Sequence, residues 1–153
     1  MQQPGLDTMI EYVTATVAGQ LFGLPIARVQ DVFVLDRLTR VPLASTEIAG
    51  VLNLRGRIVT AIDMRERLAL PPAGAVKKRM AIGIEHKGES YGLLIDAIGE
   101  VLNLPKSGCE GNPVNLEPRL ARVAAGVHRL EDRLLVVLDV DRVLDVGQQA
   151  EAA

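Results

Sequence analysis

The chain repeats itself, and this repeat limits the folds open to it more than any other feature. Shifted by 69 residues, Phe22-Gly23-Leu24, Ile26, Val29, Asp31-Val32 and Leu35 fall on Tyr91-Gly92-Leu93, Ile95, Ile98, Glu100-Val101 and Leu104. Shifted by 76, Gly50-Val51, Leu54, Arg57, Asp63 and Leu68 fall on Gly126-Val127, Leu130, Arg133, Asp139 and Leu144. The offset grows by seven, which places an insertion of that length between residues 105 and 125 of the second copy. Self-similarity at a fixed spacing marks two copies of one structural unit. The copies are 10–68 and 79–144, within one domain over 10–146, and the linker is 69–76 (ALPPAGAV), whose two prolines and glycine continue neither kind of regular structure.

Inside each unit the apolar runs are short, rich in Val, Ile and Leu, and punctuated every eight to twelve residues, the pattern of antiparallel strands. Strands are expected at 12–17, 21–26, 29–35, 51–54 and 57–62, then at 79–84, 91–95, 97–104 and in a last hairpin whose second arm is 133–138. Gly56 supplies the positive φ of a tight turn that leaves Arg55 and Arg57 at its tip. Residues 85–90 (EHKGES) read as a charged hairpin loop, 105–118 as an irregular stretch, and Asp139 as the cap of a short helix through Leu144. Five strands in about sixty residues are best buried by curling into a small barrel. A unit of that size buries too little surface alone, so the two share an apolar core. The pattern leaves open whether strands exchange between the halves. Residues 1–9 and 147–153 read as flexible tails.

The core must be aliphatic, because 48% of the chain is apolar yet only Tyr12, Phe22, Phe33 and Tyr91 are aromatic. This also removes the stacking platform used on single-stranded nucleic acid. With 17 basic against 19 acidic residues, the net charge of −2 gives no footprint for nucleic acid or anionic lipid. No run reaches the ~18 apolar residues of a membrane span, and residues 1–9 lack the regions of a signal peptide. The expected compartment is the cytoplasm, with no direct membrane insertion.

No catalytic, metal or cofactor site is expected. His86 reads as a solvated turn residue, and His128, which stands where the first copy has Leu52, as a strand-surface or partly buried one. Asp139-x-Asp141 reads as a cap plus a solvated carboxylate, since no His or Cys accompanies it. Cys109 has Lys106 nearby but no His or second Cys close in sequence. One feature is less easily absorbed by the fold. In Gly50-Val51-Leu52-Asn53-Leu54-Arg55-Gly56-Arg57-Ile58 a guanidinium stands at a turn between apolar strands, and the second copy has Glu131-Asp132 in place of Arg55-Gly56. It reads either as a solvated turn charge or as an Arg anchor for a protein partner, a residue type enriched at interface hot spots. Val29, Asp31 and Val32 share a strand whose exposed edge would suit a peptide or helix partner.

These residues resemble the CheW adaptor family of bacterial chemotaxis, whose hallmark is G-V-x-N-L-R-G-x-I-x-x-x-x-D-L-R. Here it reads Gly50-Val51-Leu52-Asn53-Leu54-Arg55-Gly56-Arg57-Ile58, continuing to Ile62-Asp63-Met64-Arg65. Gly92-Leu93-Leu94-Ile95-Asp96 is similar to the family's G-L-x-V-D. The resemblance implies an all-β fold with a few short helices: two SH3-like five-stranded barrels around a shared apolar core. It implies a noncatalytic scaffold in a two-component system, without cofactors, that bridges the signalling tips of chemoreceptors to the regulatory domain of the CheA histidine kinase. Such an adaptor is recruited to membrane-associated receptor arrays. Carried over by motif, Arg55, Val29 and Asp31 belong to the receptor-facing surface, with Gly50 and Gly56 fixing strand geometry beside it. Asp31 stands where the family more often has Glu, and Met64 replaces a usual Leu. The alternatives are an adaptor of a related pathway, controlling type IV pili or a second messenger, and a small-molecule-binding barrel.

Overall fold

Three of the hairpins of the fold are set by two-residue turns. In a computed structural model, which describes residues 8–35, 38–42, 44–71 and 79–145, Ala18-Gly19, Arg55-Gly56 and Lys87-Gly88 have φ values of 52 and 80°, 54 and 80°, and 52 and 80°. Positive φ at both positions is the mark of a type I′ turn, whose twist matches that of the strands it joins. The turns connect β1 (Met9–Val17) to β2 (Gln20–Pro25), β4 (Ile48–Leu54) to β5 (Arg57–Asp63), and β6 (Arg79–His86) to β7 (Glu89–Ile95). The remaining strands are β3 (Val29–Leu35), β8 (Ala97–Pro105), β9 (Ala124–Arg129) and β10 (Leu134–Leu138), with short helices α1 (Met64–Arg67) and α2 (Pro118–Val123). The repeat offsets carry β1, β2 and β3 onto β6, β7 and β8, and β4 and β5 onto β9 and β10, to within a residue or two.

The strands assemble into two SH3-like five-stranded units, ordered β8-β1-β2-β10-β9 and β3-β6-β7-β5-β4. Neither is built from one repeat. The first takes β1 and β2 from the N-terminal half and three strands from the C-terminal half, and the second does the reverse. The halves join through four pairs, β1 with β8 and β3 with β6 antiparallel, β2 with β10 and β5 with β7 parallel. The expectation of antiparallel strands is corrected at the two parallel pairs, where no hairpin joins the partners and either direction is open to them.

The large apolar cluster belongs to both units. Phe22 and Leu24 of the first sheet pack with Ile82, Ile84 and Leu93 of the second and with Met64, Leu68 and Leu144 of the helical segments. Fully burying an aliphatic side chain contributes roughly 1.5–3 kcal/mol, so the shared core holds the pair together. The acidic residue at the end of the hallmark has a local task. Asp63 accepts the Arg65 and Glu66 N–H groups at 3.0 and 3.3 Å, capping α1, and Asp139 accepts the Arg142 N–H at 3.3 Å at the head of a helical turn over 140–145. Asp96 ties the units together, accepting the Ala18 N–H at 2.8 Å and the Arg65 guanidinium at 2.6 Å.

Two local expectations change. The chain enters the sheet at its N-terminal end earlier than expected: Met9 pairs with Pro105, and the Thr8 carbonyl accepts the Lys106 N–H at 2.7 Å. Residues 1–7 and 147–153 of the expected tails, the last residue of the expected domain, 146, and 72–78 of and beyond the linker lie outside the described residues. The loop expected at 85–90 shrinks to Lys87-Gly88, since a type I′ turn needs two residues, and β6 runs through His86. His86 is therefore not a solvated turn residue. It is buried, with Nδ1 3.2 Å from Asp141 Oδ1 and its ring edge-on to Tyr91.

Candidate functional site

A cleft of about 420 Å³ opens between β3 and the β4–β5 turn, over β6 and β7. Phe33, Val59 and Tyr91 give it an apolar lining, while Asp31, Arg55 and Arg57 supply its charge. Its shape depends on missing side chains. A Cβ at Gly83 of β6 would collide with the Asp31 carboxylate, and one at Gly92 of β7 would stand 3.3 Å from Phe33 Cζ. Asp31 reaches this position through a slip in register between Val29 and Asp31 in the pairing of β3 with β6.

Arg55 faces Asp31 from the opposite wall, Nη1 to Oδ2 3.9 Å, with 82% of its side chain exposed. Beside it Gly56 completes the turn, and its N–H donates to Asn53 Oδ1 at 2.9 Å. Asn53 thus pins the turn that presents Arg55, a role the sequence reading missed although Asn53 stands in the hallmark. Gly83 was missed too; its signal was a glycine inside an apolar strand, which marks a close approach.

The other predicted residues lie apart from the cleft lining. Val29 is half-buried and packs on the shared core. Gly50 is buried near the far end of β4, where its Cβ would collide with the Thr39 carbonyl oxygen; Thr39 and Val51 exchange hydrogen bonds of 2.8 Å there. Gly126, its repeat mate, plays the same part under Glu110, whose carbonyl oxygen would stand 2.6 Å from an added Cβ. Gly50 therefore serves the barrel rather than the cleft. On the outward face of β3, an edge strand, Val32 and Val34 are exposed.

The titratable groups are dispersed. His86 and His128 sit in different sheets, both buried, each with Nε2 lacking a hydrogen-bond partner. Burial lowers the His128 pKa, against an opposing pull from Glu110. Asp141 is more than a solvated carboxylate: Arg28, 3.0 Å away, holds its pKa below the usual value, with His86 acting in the same direction. Cys109 lines a separate, mostly apolar groove with Tyr12 and Lys106. Among the described residues no three His, Cys, Asp or Glu side chains gather as a metal site, and no helix is long and apolar enough to cross a membrane.

Paired barrels that offer an edge strand and a charged cleft define a protein-interaction module. The model of the CheW-like domain matches residues 11–148, and the chain belongs to that family. It is 29% identical to the chemotaxis protein CheW of Bacillus subtilis over 140 residues, covering 92% of this chain and 90% of that protein. It is 28% identical to Protein PilI of Pseudomonas aeruginosa over 120 residues, covering 78% and 67% respectively. Its fold matches the crystal structure of the scaffolding protein TtCheW from Thermoanaerobacter tengcongensis with a TM-score of 0.80 at 24% identity, over 94% of this chain and 92% of that one.

Proposed function

We propose that this chain is a noncatalytic chemotaxis adaptor that couples the cytoplasmic signalling tips of chemoreceptors to the regulatory domain of a CheA-type histidine kinase, at membrane-associated arrays. The observation that carries this reading is Arg55. It stands exposed at a hallmark turn opposite Asp31, and the second copy of the barrel does without it. Arg55, Asp31 and the neighbouring face of β3 form the receptor surface in this reading; Val29 packs behind it on the shared core, and Gly56 holds the turn.

Co-sedimentation tests it. Purified protein mixed with receptor signalling fragments and the kinase of the same operon should pellet as a ternary complex. Absence of that complex would sink the reading. An adaptor of a related pathway has the likeness to PilI in its favour, and the receptor and kinase that pellet with the chain separate the two.

A further inference from the structure

We propose that Arg57 acts with Arg55 as a reader of one carboxylate on the bound receptor helix, so that this cleft selects tips carrying an acidic side chain. The inference rests on the receptor-coupling reading above. Arg55 lies in the turn and Arg57 is the first residue of β5, and both line the cleft, where Asp31 is the one acidic lining residue among the described residues. Within the cleft lining two guanidinium groups face one carboxylate. The Asp31–Arg55 separation of 3.9 Å is too long for a direct hydrogen bond, so the Arg55 donors remain open to a ligand on that side. Glu85 and Glu89 line the groove on the other side of Arg57 and keep their charge there, but neither forms an ion pair with it, so its guanidinium is not already held by either carboxylate.

The matching turn of the other barrel reverses the balance. There Glu131 and Asp132 precede Arg133, so the paired arginines occur in one copy alone. Arginine matches a carboxylate with two parallel N–H donors, and Phe33, Val59 and Tyr91 offer apolar surface to the methylene stem of a glutamate. The chemistry favoured is a helix bearing one Glu or Asp among apolar residues.

The test is isothermal titration of the full chain against the cytoplasmic fragment of a receptor from the same operon, at low and high salt. Arg57→Gln should weaken binding by about fivefold at low salt, the upper range for an exposed charge pair, and by less at high salt. Arg57→Lys should recover part of the loss. Changing one tip glutamate to glutamine should abolish the Arg57→Gln effect, while other tip substitutions leave it intact. Arg57→Gln binding like wild type, while Arg55→Asn binds poorly, overturns the carboxylate reader and spares the receptor reading. Wild-type protein that does not bind the fragment overturns both.

Discussion

The Arg55 guanidinium stands 3.9 Å from the Asp31 carboxylate and still leaves 82% of its side chain in solvent. It does so from a backbone φ of 54°, a left-handed conformation in which glycine or asparagine is less strained. Ala18 and Lys87 hold the same conformation in the matching turns, so the backbone asks for no arginine here.

Arg55→Asn should accordingly separate stability from binding. The type I′ turn would gain its preferred Asn-Gly pair, and chemical denaturation should show stability unchanged or raised by about 0.5–1 kcal/mol. Affinity for the receptor fragment should fall. A variant that unfolds more easily would mean that Arg55 serves the barrel.

Gly83→Ala should destabilise by about 1–3 kcal/mol, because the new methyl meets the Asp31 carboxylate. In Asp31→Ala protein the same change should cost much less. A double-mutant cycle by urea unfolding reads this coupling, and additive costs would disprove the contact.

The interleaved sheets make the two halves dependent on each other. Fragments 1–71 and 79–153, each holding two strands of one sheet and three of the other, should be unfolded alone by circular dichroism and regain β-structure when mixed. A folded N-terminal fragment would contradict the strand order.

Stability should fall as pH drops below about 6.5, the ordinary histidine value. Burial lowers the folded His128 pKa, so below 6.5 the unfolded chain takes up the proton first and acid favours unfolding. His128→Leu, which installs the residue of the first copy, removes a buried unpartnered nitrogen. It should raise stability by about 1 kcal/mol and flatten the dependence between pH 5 and 7 in thermal melts.

Much of this architecture was legible because the repeat fixes where strands fall: Phe22 and Tyr91, or Asp63 and Asp139, keep equivalent places in the two barrels. The exchange of strands was not legible. Alternation in β1 and β2 buries the same side chains whichever copy of the remaining strands lies beside them, so the pattern cannot distinguish the pairings. His86 was misread because its neighbours Glu85, Lys87 and Glu89 are charged, while the turn needs only Lys87-Gly88. At the cleft, Arg55 was read from the hallmark turn that Gly56 completes, and Asp31 from the strand at 29–35. Gly83 escaped because a glycine announces a close approach without naming what approaches, and Gly50 proved to answer to Thr39 rather than to Arg55.

The most direct test of the adaptor reading is the autophosphorylation rate of the CheA-type kinase from the same operon, measured with receptor-bearing membranes and this protein. Wild-type protein should raise the rate only when receptor and kinase are both present, and folded Arg55→Asn protein should fail to do so. No stimulation by wild-type protein, or full stimulation by Arg55→Asn, would contradict the account.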